Sequence, residues 1–347
     1  MLQTVLSPAV SPGIFPDPAL SANVYCSGRL DEVIARLVAP FWRQAEPGSS
    51  YLWFMRYARC GEHLKIRLHA PEPEAARLRD QLQAAQEEYF LSSAAPPPGS
   101  GRRSTPTAPP IDAEDWATVD HPDRTFLWTT YGRSHLSLGY RPFLDDDGYA
   151  ALATRCLGAG AEIVLARFAT GPDGECPFAV QREIWREALL NGLLAASFSA
   201  RDRALYLLYH RDCLLRYLRK RKGWVEGASA MGQVLAQFDR QPGRQELQEE
   251  LAGAMAAVAP GGAETVAWKE ALGALSGYVA PLLADPAYHV DPFADHPAFP
   301  VFFKIFHGVA NQIGLDATNE AFLYHSLAGI TAEADLRLRP VRLKPHL

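Results

Sequence analysis

Three groups of side chains in this sequence have types and spacing that could do chemistry. The first is the run His63-Leu64-Lys65-Ile66-Arg67-Leu68-His69. In an extended chain, successive side chains point to opposite faces. His63, Lys65, Arg67 and His69 therefore share one face, and Leu64, Ile66 and Leu68 share the other. Arg67 would offer a forked donor to a carboxylate, and Lys65 a point charge. The two imidazoles could exchange protons near neutral pH. The same alternation also describes a solvated sheet face, and periodicity alone leaves both readings open.

The second group is Tyr288-His289-Val290-Asp291 with Asp295-His296, set among Pro286, Pro292 and Pro297. Its spacing fits no closed tetrahedral metal site, so no metal is expected, and a tyrosine or histidine acid/base is the better use. The third is His307 with Asn311 and Gln312. Four residues apart on a helix, His307 and Asn311 share a face. A core histidine beside an ordinary amide would look the same. The sequence contains no GxGxxG, no GxxxxGK[ST], no HExxH and no GxSxG, so nucleotide-driven and metal-hydrolase chemistry are not signalled.

These groups sit in a chain of 347 residues with a net charge of -5. That balance argues against a general nucleic-acid binder, and the short Lys220-Arg221-Lys222 run suits a solvated helix end. The five cysteines form no CxxC pair, which suggests free thiols in a reducing, cytoplasmic setting. The first residues lack a basic segment and are broken by prolines, unlike a signal peptide. No uncharged apolar run approaches the ~18 residues of a membrane span, so no membrane association is expected.

The elements that must position the groups follow from the pattern. The first ~25 residues read as extended or loop. Leu30 to Phe41 has helical spacing and stops near Pro47-Gly48. Tyr51–Tyr57 and His63–His69 form a hairpin, and a helix runs from Glu74 to Leu91. Residues 92–113, rich in Pro, Ser and Gly, cannot bury a core and read as a flexible loop. Strands are expected over Arg124–Tyr131 and near Ser134–Leu138. A helix opens at Asp145-Asp146-Asp147, and helices then fill 178–222, 228–257, 263–284, 301–311 and 319–327. The tail from Leu336 alternates with Arg337, Arg339, Arg342 and Lys344, as a strand with a basic face would. The fold class is α+β, read as a single domain over residues 1–347.

Three segments together resemble a known family. Arg56-Tyr57 followed by His63-Leu64-Lys65-Ile66-Arg67-Leu68 resembles the RY…HLRLR segment of the lantibiotic dehydratase C-terminal (glutamate-elimination) domain. His307-Gly308-Val309-Ala310-Asn311-Gln312-Ile313-Gly314, with Glu320 after it, resembles that family's HMxxNRxxG…E segment. Tyr131 to Asp147 and Arg155-Cys156-Leu157 resemble the stand-alone pyridine synthases of thiopeptide biosynthesis. The resemblance spans about 50 to 330, in the same order, and implies a mixed, largely antiparallel sheet packed by helices.

It also implies a function. The family's Asn-Arg pair is Asn311-Gln312 here, and the first arginine of HLRLR is Lys65. Those basic residues are thought to hold a glutamyl ester, so their replacement favours the cycloaddition branch over elimination. Such synthases join two dehydroalanines of a leader-bearing precursor peptide in a formal [4+2] cycloaddition, then expel water and the leader. No cofactor is implied. Orientation alone can contribute about 7–11 kcal/mol, and placed acids and bases about 10²–10⁴ in rate. On this reading Tyr288 and His307 donate or relay protons, while Ser137 and Gln312 position by hydrogen bonding. Arg56, His63, Lys65, Arg67 and Asn311 contact substrate, and Arg337 and Arg339 help steer an acidic leader. Other enzymes of the pathway are possible partners. Two alternatives stay open: a glutamyl-eliminating lyase that makes dehydroalanine, and a non-catalytic leader-binding partner.

Overall fold

The alternation at His63–His69 does form a strand, and it lies inside a four-stranded sheet of order β2-β3-β1-β4. The computed structural model describes residues 17–46, 50–57, 61–92, 123–129, 141–168, 170, 174–222, 228–256 and 262–334. The strands are β1 (Leu20–Tyr25), β2 (Tyr51–Tyr57), β3 (His63–His69) and β4 (Thr125–Trp128). All three pairings are antiparallel, as the α+β reading expected. β2 and β3 form the expected hairpin pair, with Tyr51 opposite His69 and Tyr57 opposite His63. β1, read only as extended or loop, is an interior strand between β3 and β4. Its Leu20, Ala22 and Val24 stand opposite Leu68, Ile66 and Leu64, which makes one continuous apolar face.

The solvated-face reading of β3 does not hold. Every residue of the strand is buried, on both faces. Each basic residue has an aromatic or long side chain beside it on β2: Tyr57 by His63, Met55 by Lys65, Trp53 by Arg67 and Tyr51 by His69.

The helices follow the apolar spacing closely. Between β1 and β2 lie α1 (Leu30–Val33), a π-helical turn (Ile34–Val38) and α2 (Ala39–Gln44). Pro40, in the first turn of α2, has no N–H to give the carbonyl of Arg36. After β3 come α3 (Glu72–Leu91), α4 (Arg141–Leu144), α5 (Asp147–Arg167) and α6 (Phe178–Ala195). α5 begins at Asp146, whose carboxylate accepts from the Tyr149 N–H at 2.8 Å and from the Tyr278 hydroxyl at 2.7 Å. By length and hydropathy α5 could cross a membrane, but 83% of that window is buried within the protein, as in a core helix. The remaining helices are α7 (Ala200–Lys222), α8 (Ala228–Asp239), α9 (Arg244–Ala256), α10 (Ala263–Leu282), α11 (Phe299–Ile313) and α12 (Ala317–Ala334). Cys26 and Cys156 are buried free thiols, and Cys176 is buried.

The chain divides into two compact units. The first takes in residues 1–197, 260–292 and 300–314, and so contains the described sheet. The second takes in 198–259, 293–299 and 315–347 and, among the described residues, is helical. In the second unit α12 packs against α7 and α9.

Candidate functional site

In the first unit, α11 and β2 are joined by the residues that the two motifs share. Asn311 clasps the Arg56 backbone from both sides. Its Oδ1 accepts from the Arg56 N–H at 2.7 Å, and its Nδ2 donates to the Arg56 carbonyl at 3.2 Å. This is the pairing another strand would make, supplied by one amide side chain. The Arg56 guanidinium turns to the C-terminal end of α11. It donates to the Gln312 carbonyl at 3.4 and 3.3 Å and to the Ile313 carbonyl at 3.4 Å. A cation there meets the negative end of the helix dipole and satisfies carbonyls that the helix leaves open. Asp31 of α1 takes the guanidinium from the other side and also accepts from the Cys176 N–H.

Gly314 makes this approach possible. Its φ is +94°, and a Cβ would stand 2.8 Å from the Arg56 Cζ. One turn earlier, α11 crosses α5 at similarly close range. A Cβ on Gly308 would lie 2.5 Å from Leu157, and one on Gly160 would lie 2.4 Å from Val309. The Gln312 side chain crosses the same contact, donating to the Leu157 carbonyl at 3.1 Å from a site with 0% exposure.

These contacts leave α11 with one incompletely buried stripe. Phe303, Lys304, His307, Asn311 and Gly314 are half-buried, and every other described residue from 301 to 313 is buried. The His307 imidazole stacks on the Phe303 ring, with centroids 5.5 Å apart and planes 14° apart. Lys304 precedes His307 by three residues. It was not among the residues singled out in the sequence. It is nonetheless the single formally charged side chain in an otherwise apolar or neutral helix, and that is a signal the sequence contained.

The basic row of β3 is held by rings and carbonyls. The His63 imidazole lies against Tyr25 and Tyr57, with centroids 4.5 and 5.7 Å away, and its Nδ1 is 2.8 Å from the Gly61 carbonyl. The Lys65 ammonium sits 3.9 Å from the centre of the Tyr57 ring, a cation–π contact. Arg67 donates to the Ile66 carbonyl at 2.9 Å and to the Ala22 carbonyl at 3.4 Å. His69 stacks on Tyr51 and accepts from the Trp53 indole N–H at 3.0 Å, which places its own proton on Nδ1.

The second loop group is divided between the units. Tyr288 ends a short 3-10 turn in the first unit and meets Phe143 edge-on at 5.5 Å. The exposed His289 bonds the Leu283 carbonyl at 2.9 Å. His296 belongs to the second unit, where it stacks with Phe299. Ser137, Arg337 and Arg339 lie outside the described residues.

In the second unit a chain of polar groups links α7 and α12. The Tyr206 hydroxyl is 2.9 Å from the His210 Nδ1, and the His210 Nε2 is 2.8 Å from the Glu320 carboxylate. All three residues are at 0% exposure, and the Tyr324 ring stacks on His210 at 3.8 Å. Sequence reasoning noted Glu320 only as the end of a motif and missed Tyr206 and His210. Their i, i+4 spacing on α7 was visible, but their partner lies 110 positions on. A surface groove in this unit is lined by Asp239, Glu246 and Glu249 against Arg244, so its carboxylates would repel an acidic peptide.

The family model described as "Lantibiotic biosynthesis dehydratase C-term" matches residues 20–331. No curated protein sequence matches this chain. Among solved structures, the fold is similar to the pyridine synthase TbtD from thiomuracin biosynthesis, with a TM-score of 0.60 at 15% identity, over 90% of this chain and 97% of that one. It is also similar to the tRNA-dependent lantibiotic dehydratase MibB from Microbispora sp. 107891, with a TM-score of 0.52 at 12% identity. There the match takes in 96% of this chain but 29% of the larger protein.

Proposed function

The chain belongs to the lantibiotic dehydratase C-terminal family, and from that premise we propose that it forms the pyridine-centred macrocycle of a thiopeptide. The substrate is a leader-bearing ribosomal peptide with two dehydroalanines. A formal [4+2] cycloaddition closes a six-membered nitrogen ring; water and the leader, as its amide, then depart to leave the pyridine. The reaction belongs in the cytoplasm, where the precursor is made.

The observation that carries this reading is Gln312. It occupies the place of the family's arginine, and its neutral side chain is turned onto the Leu157 carbonyl at 0% exposure. The cation expected to hold a glutamyl ester is absent at that position, and Lys65, in place of another arginine, rests on the Tyr57 ring. A site relieved of those charges suits a neutral, folded peptide. The likeness to a pyridine synthase over nearly the whole of both chains supports the same branch.

On this reading the protein's work is orientation and proton transfer. Bringing two alkenes together within one peptide is an entropic task, for which orientation can supply about 7–11 kcal/mol. The azadiene requires an amide in its iminol form, and His307 and Tyr288 are the groups proposed to move protons for that step and for the two departures.

The test is incubation of the purified protein with an azole-bearing peptide that carries two dehydroalanines, followed by mass spectrometry. Loss of water with release of an intact leader amide is expected. His307→Ala and Tyr288→Phe should each slow turnover at least tenfold while the circular dichroism stays unchanged. Glutamate loss from a glutamylated peptide, with the first substrate untouched, would identify a lyase. Binding without turnover of either peptide would identify a leader-binding partner.

A further inference from the structure

The basic groups singled out by their pattern already have work within the fold. Arg56 holds the end of α11 and Asp31. Lys65 is stacked on Tyr57, and Arg67 is bonded to two carbonyls. Lys304 differs from all of them. It is half-buried on the α11 stripe that carries His307 and Asn311, and among the described residues it has neither an ion pair nor a hydrogen bond. It lies three residues, just under one helical turn, before His307, so the two side chains emerge on the same face.

An ammonium in that position costs stability. Desolvation pushes its pKa down from the ordinary lysine range, and no charged group among the described residues offsets the lost water. An apolar residue would fit an otherwise apolar helix better. A solvated lysine would not be desolvated, and a structural one would have a partner.

We propose that Lys304 is a further substrate-binding residue, a cationic donor that takes an amide carbonyl oxygen of the peptide beside His307. This rests on the peptide-modifying reading above and adds a named contact to it. A charged donor in a partly dry site binds and polarises a carbonyl more strongly than the same donor in water. Polarising that carbonyl favours the iminol that the cycloaddition needs.

Two measurements test it together. In the first, Lys304→Met and Lys304→Arg are compared with the wild type on the bis-dehydroalanine peptide. The methionine variant should lose about tenfold to a hundredfold in kcat/KM, with a melting temperature equal to or above that of the wild type. The arginine variant, which keeps a cationic donor, should recover most of the loss. A methionine variant as active as the wild type overturns the proposal, and so does one whose loss matches a fall in melting temperature.

In the second, the native protein is treated with an amine-acylating reagent, with and without the peptide, and Lys304 is followed by peptide mapping. Labelling in the free protein and protection by the peptide are expected. No labelling, or labelling that the peptide leaves unchanged, overturns the proposal. If the wild type leaves the bis-dehydroalanine peptide untouched, the proposed reaction fails, and the labelling result alone decides whether Lys304 meets a peptide.

Discussion

His69 on β3 and His210 on α7 are both at 0% exposure, yet they are kept there by different means. His69 lies between a stacked tyrosine and an indole N–H, and the residues along its row are likewise met by rings and backbone carbonyls. His210 sits in a line of hydrogen bonds, with a phenol on one nitrogen and a carboxylate on the other. In the sheet, stabilisation is spread over many contacts, each of modest worth. Between α7 and α12, apolar packing is joined by one polar chain, where loss of a member removes the partner of a buried group. The difference teaches where each region will break.

The largest effect is expected at Glu320→Ala. Removing the carboxylate from a fully buried pair should cost about 3 kcal/mol or more in urea unfolding. Glu320→Gln, which keeps an acceptor, should cost about 1 kcal/mol. If the alanine variant unfolds at the wild-type urea concentration, the polar chain is not what joins the two helices. Trp53→Phe is the matching test in the sheet. It leaves the His69 Nε2 without its donor and should cost about 1–2 kcal/mol by the same measurement. A cost above that of Glu320→Ala would reverse the contrast. Tyr57→Leu removes the ring beneath Lys65 and beside His63, and about 1 kcal/mol is expected.

The smallest effect concerns pH. Glu162 on α5 is partly buried beneath the Trp42 indole, and desolvation raises its pKa above the ordinary carboxylate value. The folded protein therefore holds this proton more tightly than the unfolded chain does. Its contribution is fully present below the unfolded pKa and is lost as pH rises from there through the raised folded value. Glu162→Gln should remove that part of the slope in urea midpoints measured from about pH 4 upwards. An unchanged slope would mean that the carboxyl titrates as an exposed one.

Much of the sheet was legible because alternation and turn residues are local. The hairpin of β2 and β3 follows from Tyr51–Tyr57 and His63–His69, and the structure adds its register. Burial of both faces of β3 was not legible. A period of two separates polar from apolar but does not say what stands beside each, and here the neighbours include Tyr51, Trp53 and Tyr57 of β2 and Tyr25 of β1. β1 was hidden by its proline-rich surroundings and by pairing with β3 residues 38 to 48 positions away. At the candidate site, the shared face of His307 and Asn311 was visible in their spacing. The clasp of Asn311 on Arg56 was not, because 255 positions separate them. Lys304 was overlooked although a lone charge in an apolar helix is conspicuous once burial is known.

The clasp between Arg56 and Asn311 has a consequence for engineering. The strand and the helix each lack something that the other provides: the Arg56 backbone needs an edge partner, and the end of α11 needs a cation. A chimera that transplants the His307 helix into a relative without the matching strand would carry over the imidazole but not the anchor one turn beyond it. Arg56, Asn311 and Gly314 therefore form one inheritable part, to be exchanged together or left alone.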